Sequence, residues 1–248
     1  MADQVVIVTG AGNGIGLSMI QLLMKSAKVS HVVAVDLNID KLKAIQKEHP
    51  EKVSLVTGDV SKTSTSIEAV ETAVKQGGHL NSLILNAAMV RPTGYLPKLV
   101  VNDWRKAFDV NFFSQLDMMQ QAWPHLLESE GNVMMTSTRV SQEPTDSWTC
   151  YATTKAALNY LCSCLPLEEP KIKYVAITPG AVDTDSQTAS RLDGKIKNFS
   201  PKMRKFLNEI YSSNKLLKPE QPASAFVKLV ETGIPDKFTG KTIYWGDI

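Results

Sequence analysis

Seven short runs of β-branched and apolar residues recur along the chain, each bounded by turn residues, near positions 5–8, 32–35, 53–56, 80–85, 132–136, 173–177 and 241–244. They read as strands. Between them lie longer stretches of helical period near 15–28, 39–48, 63–77, 102–127, 151–165 and 219–231. Strands regularly separated by helix-length crossovers predict a seven-stranded parallel α/β sheet, doubly wound, with helices on both faces. No low-complexity or Gly/Ser/Pro-rich linker divides the 248 residues, so one domain spanning 1–248 with one large core is the simplest organisation. Residues 183–217 break the alternation. That stretch is more polar, carries seven Lys/Arg and follows Pro179-Gly180, which predicts a helical excursion acting as a lid beside the ligand crevice.

Charge narrows the function classes. Against 25 Asp+Glu stand 27 Lys+Arg, a net +2 that argues against a nucleic-acid or polyanion partner. No apolar run approaches the roughly 18 residues of a membrane span, and the chain opens into its first strand without a charged leader. A cytoplasmic protein that does not engage membranes is expected. Cys150, Cys162 and Cys164 form no Cys-x-x-Cys pair, and the four histidines fall in different elements, so no metal site is expected. Met118-Met119 and Met134-Met135 read as core filling.

The first turn carries the clearest ligand signal. Thr9-Gly10-Ala11-Gly12-Asn13-Gly14-Ile15-Gly16 follows the first strand and opens the first helix. Spaced glycines let backbone amides approach a pyrophosphate, and the positive helix end holds the anion. Asp36 ends the second strand about 20 residues further on, where a carboxylate can accept both adenosine ribose hydroxyls. The other reading of Asp36 is a cap for the following helix. Asp59-Val60 and Asn86-Ala87-Ala88 close the third and fourth strands, placing polar groups at the carboxyl edge where open α/β sheets bind ligands.

A second constellation points to proton transfer. Tyr151 and Lys155 are four residues apart at the start of a helix, which puts phenol and ammonium on one face. The cation can lower the phenol's pKa, and a phenol beside Lys⁺ and a positive nicotinamide is expected to exchange a proton with a substrate oxygen. Ser137-Thr138 at the end of the fifth strand and Asn111 in the preceding helix can add an oxygen-orienting hydroxyl and a water-holding amide. Trp148 reads equally as pocket wall or as packing.

In this order, the Thr9 to Gly16 turn, Asp59, Asn86-Ala87-Ala88, Asn111, Ser137-Thr138, Tyr151-x-x-x-Lys155 and Pro179-Gly180-x-Val182-x-Thr184 resemble the short-chain dehydrogenase/reductase family along essentially the whole chain. Within it, Asp109-Val110-Asn111-Phe112-Phe113, Trp148, Glu168-Glu169-Pro170 and Gly233-Ile234-Pro235-Asp236 look most like the sepiapterin reductase and fungal benzil reductase branch. The resemblance implies a Rossmann-type fold and an NAD(P)-dependent enzyme interconverting a ketone or dicarbonyl and a secondary alcohol. A non-catalytic dinucleotide sensor on the same fold is the alternative. It further implies Tyr151 as proton donor and acceptor, Lys155 on the nicotinamide ribose, a relay water at Asn111 and Thr184 at the carboxamide. A homodimer or homotetramer through the helices near 102–127 and 151–165 is also implied. Two positions depart from the family pattern. Thirteen residues before Tyr151 stands Thr138, with Ser137 beside it, and Leu85-Asn86-Ala87-Ala88 replaces the usual Asn-Asn-Ala-Gly.

For the cofactor, residues and branch disagree. A 2′-phosphate beside Asp36 would bring two anions together, and Asn13, Leu37 and Asn38 offer no arginine fork. The suspected branch generally uses NADPH, and Lys41 or Lys62 could reach a phosphate. Local chemistry favours NAD(H), with NADP(H) as the alternative.

Overall fold

Along β1 (Gln4–Thr9) every side chain from Val5 to Val8 is apolar, and successive ones leave the sheet on opposite sides. Val5 and Ile7 join one buried cluster, Val6 and Val8 another. β2 (Val29–Asp36) divides in the same way, with Val33 and Val35 on one side and Val32 and Ala34 on the other. Strands apolar on both faces need cover on both, which an all-parallel sheet with helical crossovers supplies. The remaining strands are β3 (Val53–Thr57), β4 (Ser82–Leu85), β5 (Asn132–Thr136), β6 (Lys173–Thr178) and β7 (Lys241–Tyr244). The sheet order is β3-β2-β1-β4-β5-β6-β7 and every pairing is parallel. The expected seven-stranded, doubly wound Rossmann-type sheet is what the chain forms. The computed structural model from which this is read describes residues 3–192 and 199–248.

On one face lie α1 (Gly14–Lys25), α2 (Asp40–Glu48) and α9 (Glu220–Thr232), whose Met19, Leu23, Leu42 and Phe226 enter the core with Val6 and Val8. The other face is covered by α3 (Thr63–Gly77), α5 (Ser114–Glu128) and α6 (Thr149–Glu168) through Val70, Met118, Met119, Leu158 and Cys162. At about 1.5–3 kcal/mol per fully buried large apolar side chain, these two layers dominate the stability. Met134 and Met135, adjacent on β5, go one to each layer. Connections from β1 run one way across the sheet and those from β4 the other, so the carboxyl ends of β1 and β4 part to leave a crevice.

Two segments differ from simple periodicity. The stretch expected as one helix near 102–127 is α4 (Val101–Phe108) and α5 joined through a π-helical turn, Asp109–Phe113. The excursion contains α7 (Asp185–Leu192) and α8 (Pro201–Ser212). Its two ends are tied by a parallel bridge between Val182 and Leu217, with the Asp183 N–H donating to the Leu217 carbonyl and the Leu217 N–H to that of Ala181, each at 2.9 Å. Part of the basic stretch around 195–205 lies outside the described residues.

Candidate active site

The glycine turn is a cradle that side chains would fill. A Cβ on Gly16 would sit 1.9 Å from the Gly10 carbonyl oxygen, and one on Gly12 2.2 Å from that of Asn38. Backbone therefore lines the crevice. Asn13 caps α1, its Oδ1 accepting the Gly14 N–H at 2.9 Å, and the first N–H groups of the helix, including those of Ile15 and Gly16, point outward without intrahelical partners. Such a cradle fits a dinucleotide pyrophosphate. Asp36 stands beside it: one carboxylate oxygen accepts the Gly12 N–H at 2.8 Å and the other the Asn38 N–H at 3.0 Å. α2 is capped by Ile39 without a side-chain bond, so the helix-capping reading of Asp36 is replaced by one in which its carboxylate braces the glycine turn. Leu37 next to it is 72% exposed. Asp59 closes a tight turn by accepting the Ser61 N–H at 2.9 Å, and Val60 packs on the core behind it.

A chain of hydrogen bonds runs under the crevice from β5 through β4 to β1. The Lys155 Nζ, fully buried, donates to the Thr136 carbonyl at 2.7 Å. The Thr136 hydroxyl donates to Asn86 Oδ1 at 3.1 Å, and Asn86 Nδ2 donates to the carbonyls of Thr9 and Gly10 at 3.2 and 3.1 Å. Thr9 Oγ1 in turn accepts the N–H groups of Asn86 and Ala87 at 3.0 and 3.1 Å. Asn86 thus ties three strand ends together. Ala87 lies against Gly10, whose added Cβ would come within 2.8 Å of it, while Ala88 is exposed at the rim.

Thr138 and Ser137 face opposite ways. The Thr138 side chain lies beside the Tyr151 phenol, close enough to favour its ionised form. Ser137, 1% exposed, instead donates to Asn159 Oδ1 of α6 at 2.6 Å. Burial pushes the Tyr151 phenol up to about 12, opposed by the neighbouring Thr138 side chain. Burial also draws the Lys155 amine down to about 7. A lowering of the phenol by Lys155 is not found in the protein alone, where desolvation dominates. A phenol that keeps its proton suits a proton donor.

Asn111, fully buried in the π-helical turn, clamps the loop after β4. Its Oδ1 accepts the Met89 N–H and its Nδ2 donates to the Met89 carbonyl, both at 2.8 Å, while Nδ2 also donates to Thr154 Oγ1 at 3.0 Å. Both amide hydrogens are thereby committed. On the far side of the crevice Pro179 is buried, and Gly180 takes φ +78°, where an added Cβ would meet Leu217 at 3.1 Å. Val182 anchors the bridge to Leu217, and Thr184 lies over Gly14, 3.0 Å from where its Cβ would be. Trp148 packs edge-on against Phe199 with centroids 5.6 Å apart, in a small cluster with Met203 and Leu207 of α8. Trp148 thus serves as packing, joining the start of α6 to the excursion. Among the described residues no group of three or more His, Cys, Asp or Glu could hold a metal, and no helix is long and apolar enough to cross a membrane.

With this geometry in place, residues 4–195 match the short chain dehydrogenase family. The chain is a short-chain dehydrogenase/reductase. It is thereby an oxidoreductase of a family that binds NAD(P)(H) and acts on small molecules. A benzil reductase ((S)-benzoin forming) of Saccharomyces cerevisiae is 30% identical over 253 residues, 98% of this chain and 96% of the relative. A crystal structure of a short chain dehydrogenase/reductase from the same yeast superposes with a TM-score of 0.95 at 33% identity, covering 98% of this chain and 96% of that one. A cytoplasmic protein with unknown function from Saccharomyces cerevisiae gives 0.84 at 32% identity, with 98% and 96% covered.

Several positioning groups escaped sequence reasoning: Thr136 under Lys155, Thr154 and Met89 on Asn111, and Asn159 on Ser137. Helical spacing from Tyr151 could have drawn attention to Thr154 and Asn159. Met89 acts through backbone alone, which no side-chain pattern announces.

Proposed function

We propose that the protein is a carbonyl reductase that interconverts a ketone or dicarbonyl compound and its secondary alcohol, with Tyr151 as proton donor and acceptor. The observation that carries this reading is a Tyr151 phenol held protonated by burial beside the Thr138 side chain, one helical turn from buried Lys155. In reduction, Tyr151 gives its proton to the carbonyl oxygen while Thr138 orients that oxygen. Ser137 only supports the strand end. Bound nicotinamide dinucleotide supplies the hydride, or accepts it in the reverse direction. The glycine turn with Asn13 and Ile15 holds the pyrophosphate, Asp36 and Leu37 the adenosine ribose side, and Asp59 and Val60 the adenine. Lys155, Ala87 and Ala88 flank the nicotinamide ribose, and Thr184, with Pro179, Gly180 and Val182 behind it, the carboxamide. Asn111 keeps the Met89 loop in place beside any relay water.

The Asp36 carboxylate braced against Gly12 favours NAD(H) over NADP(H). The name of the benzil-reducing relative supports a hydrophobic diketone as the first substrate to try. The cytoplasmic description of one structural relative supports that location.

Oxidation of NADH and NADPH by benzil, other diketones and simple ketones tests the reading. Tyr151→Phe is expected to lower kcat by about 10²–10⁴ with the dissociation constant of the cofactor unchanged. Near-normal turnover in that variant removes Tyr151 from the mechanism, and tight cofactor binding without turnover of any carbonyl points to a sensor.

A further inference from the structure

Three elements meet at the outer mouth of the crevice. Asn13 of the glycine turn donates from Nδ2 to Asp185 Oδ2, on the first turn of α7, at 2.5 Å. Its Oδ1 accepts from Lys41 Nζ of α2 at 2.9 Å, and Lys41 and Asp185 form an ion pair at 3.6 Å. Asp36 is adjacent through Gly12. Counted as charges, this corner holds two carboxylates and one ammonium, and the ammonium is already engaged. The neighbouring cation on α2, Lys43, is paired with Asp40 at 2.8 Å.

We infer that Asp185 is a cofactor-selecting residue that acts through Lys41: by holding the lysine on Asn13 it withholds a cation from the adenosine 2′ position and leaves the corner net negative. The inference rests on the dinucleotide reading above, with Asp36 facing the adenosine ribose. A 2′-phosphate brings up to two further negative charges. To be neutralised it must draw Lys41 away from Asp185, whereas a 2′-hydroxyl needs no cation. Asp36 and Asp185 thus oppose the phosphate from different elements, one built into the sheet and one carried by the excursion.

Asp185→Asn tests this, since an amide oxygen can still accept from Asn13 while the charge and the ion pair are lost. Calorimetric titration with adenosine 2′,5′-bisphosphate and with adenosine 5′-monophosphate isolates the 2′ group without turnover. Lys41 and Asp185 are both solvent-exposed, so the effect is modest. The bisphosphate is expected to bind about three- to fivefold more tightly to Asp185→Asn than to the parent, with the monophosphate unchanged. Lys41→Ala added to Asp185→Asn is expected to abolish that gain. An unchanged bisphosphate affinity in Asp185→Asn, or a gain that survives loss of Lys41, overturns the inference while leaving the oxidoreductase reading intact. Failure of both nucleotides to bind the parent overturns the dinucleotide site and the inference with it.

Discussion

Ser137 and Thr138 are adjacent, both carry a hydroxyl, and the direction of each decides its use. Thr138 reaches Tyr151, while Ser137 is buried against Asn159. Thr138→Val should therefore cut kcat strongly, whereas Ser137→Ala should leave turnover near normal and lower stability by about 0.5–1.5 kcal/mol, the net contribution of one hydrogen bond. Steady-state kinetics and urea unfolding on the two variants check the ranking, and the reverse order would move the catalytic hydroxyl to Ser137. Lys155 raises a different matter at the same scale. Its amine sits at about 7 in the fold against 10.5 in the open chain. Between those values the unfolded chain binds the proton more strongly, so this group's stabilising contribution is present above 10.5, is lost as pH falls toward 7, and stays lost below. Lys155→Met removes the titration. Its melting temperature should rise relative to the parent as pH drops from 10 to 7, while activity collapses; a difference that does not vary with pH would contradict the burial argument.

At the scale of elements, α8 rests on a small cluster of its own. Its buried face is Met203 and Leu207, which meet Phe199 and Trp148 in a cluster separate from the two large layers. The Ser147 hydroxyl accepts the Ser200 N–H at 3.0 Å and adds one polar tie. By contrast the base of the excursion is pinned through Val182 and Leu217. A segment with a small private core above a fixed base opens locally at lower cost than the sheet does. Residues 201–212 should exchange amide hydrogens faster than β1 in the protein alone and slow when cofactor and a diketone are both present, as a closing lid requires. Equal exchange with and without ligands would count against a lid. Trp148→Ala, which removes one side of the cluster, should speed exchange in α8 while leaving β1 protected.

For the molecule as a whole, large apolar side chains stand exposed where the family resemblance implies a subunit contact. Val101 is 63% exposed on α4, Phe113 53% in the π-helical turn and Tyr160 75% on α6. Phe113 stacks edge-on with Phe112 at 5.4 Å, which fixes its ring before any partner arrives. Exposed apolar groups on the helices of one face are what an association surface needs. Light scattering should report a dimer or tetramer for the parent, and Phe113→Glu combined with Tyr160→Glu should lower the order of assembly. A parent that is monomeric at high micromolar concentration would rule out this surface as an interface.

Period and local sterics are properties of short stretches, and they determined most of the architecture. The seven β-branched runs became the seven strands, and the glycine turn formed where only glycine fits, since a Cβ on Gly16 would meet Gly10. The fold and the candidate residues were legible for that reason. Thr138 rather than Ser137 facing Tyr151 also follows from strand alternation. What the tertiary structure alone decided involves groups far apart in the chain. The Tyr151 phenol moved up rather than down because desolvation comes from everything packed around it. Asn111 turned out to clamp Met89, 22 residues away, through a π-helical turn that no apolar period marks. Asn13 and Asp185 are 172 positions apart and meet only because α7 folds back across the crevice. Contacts of that kind depend on where two elements dock, and docking is set by the summed packing of both layers rather than by any residue's neighbours in sequence.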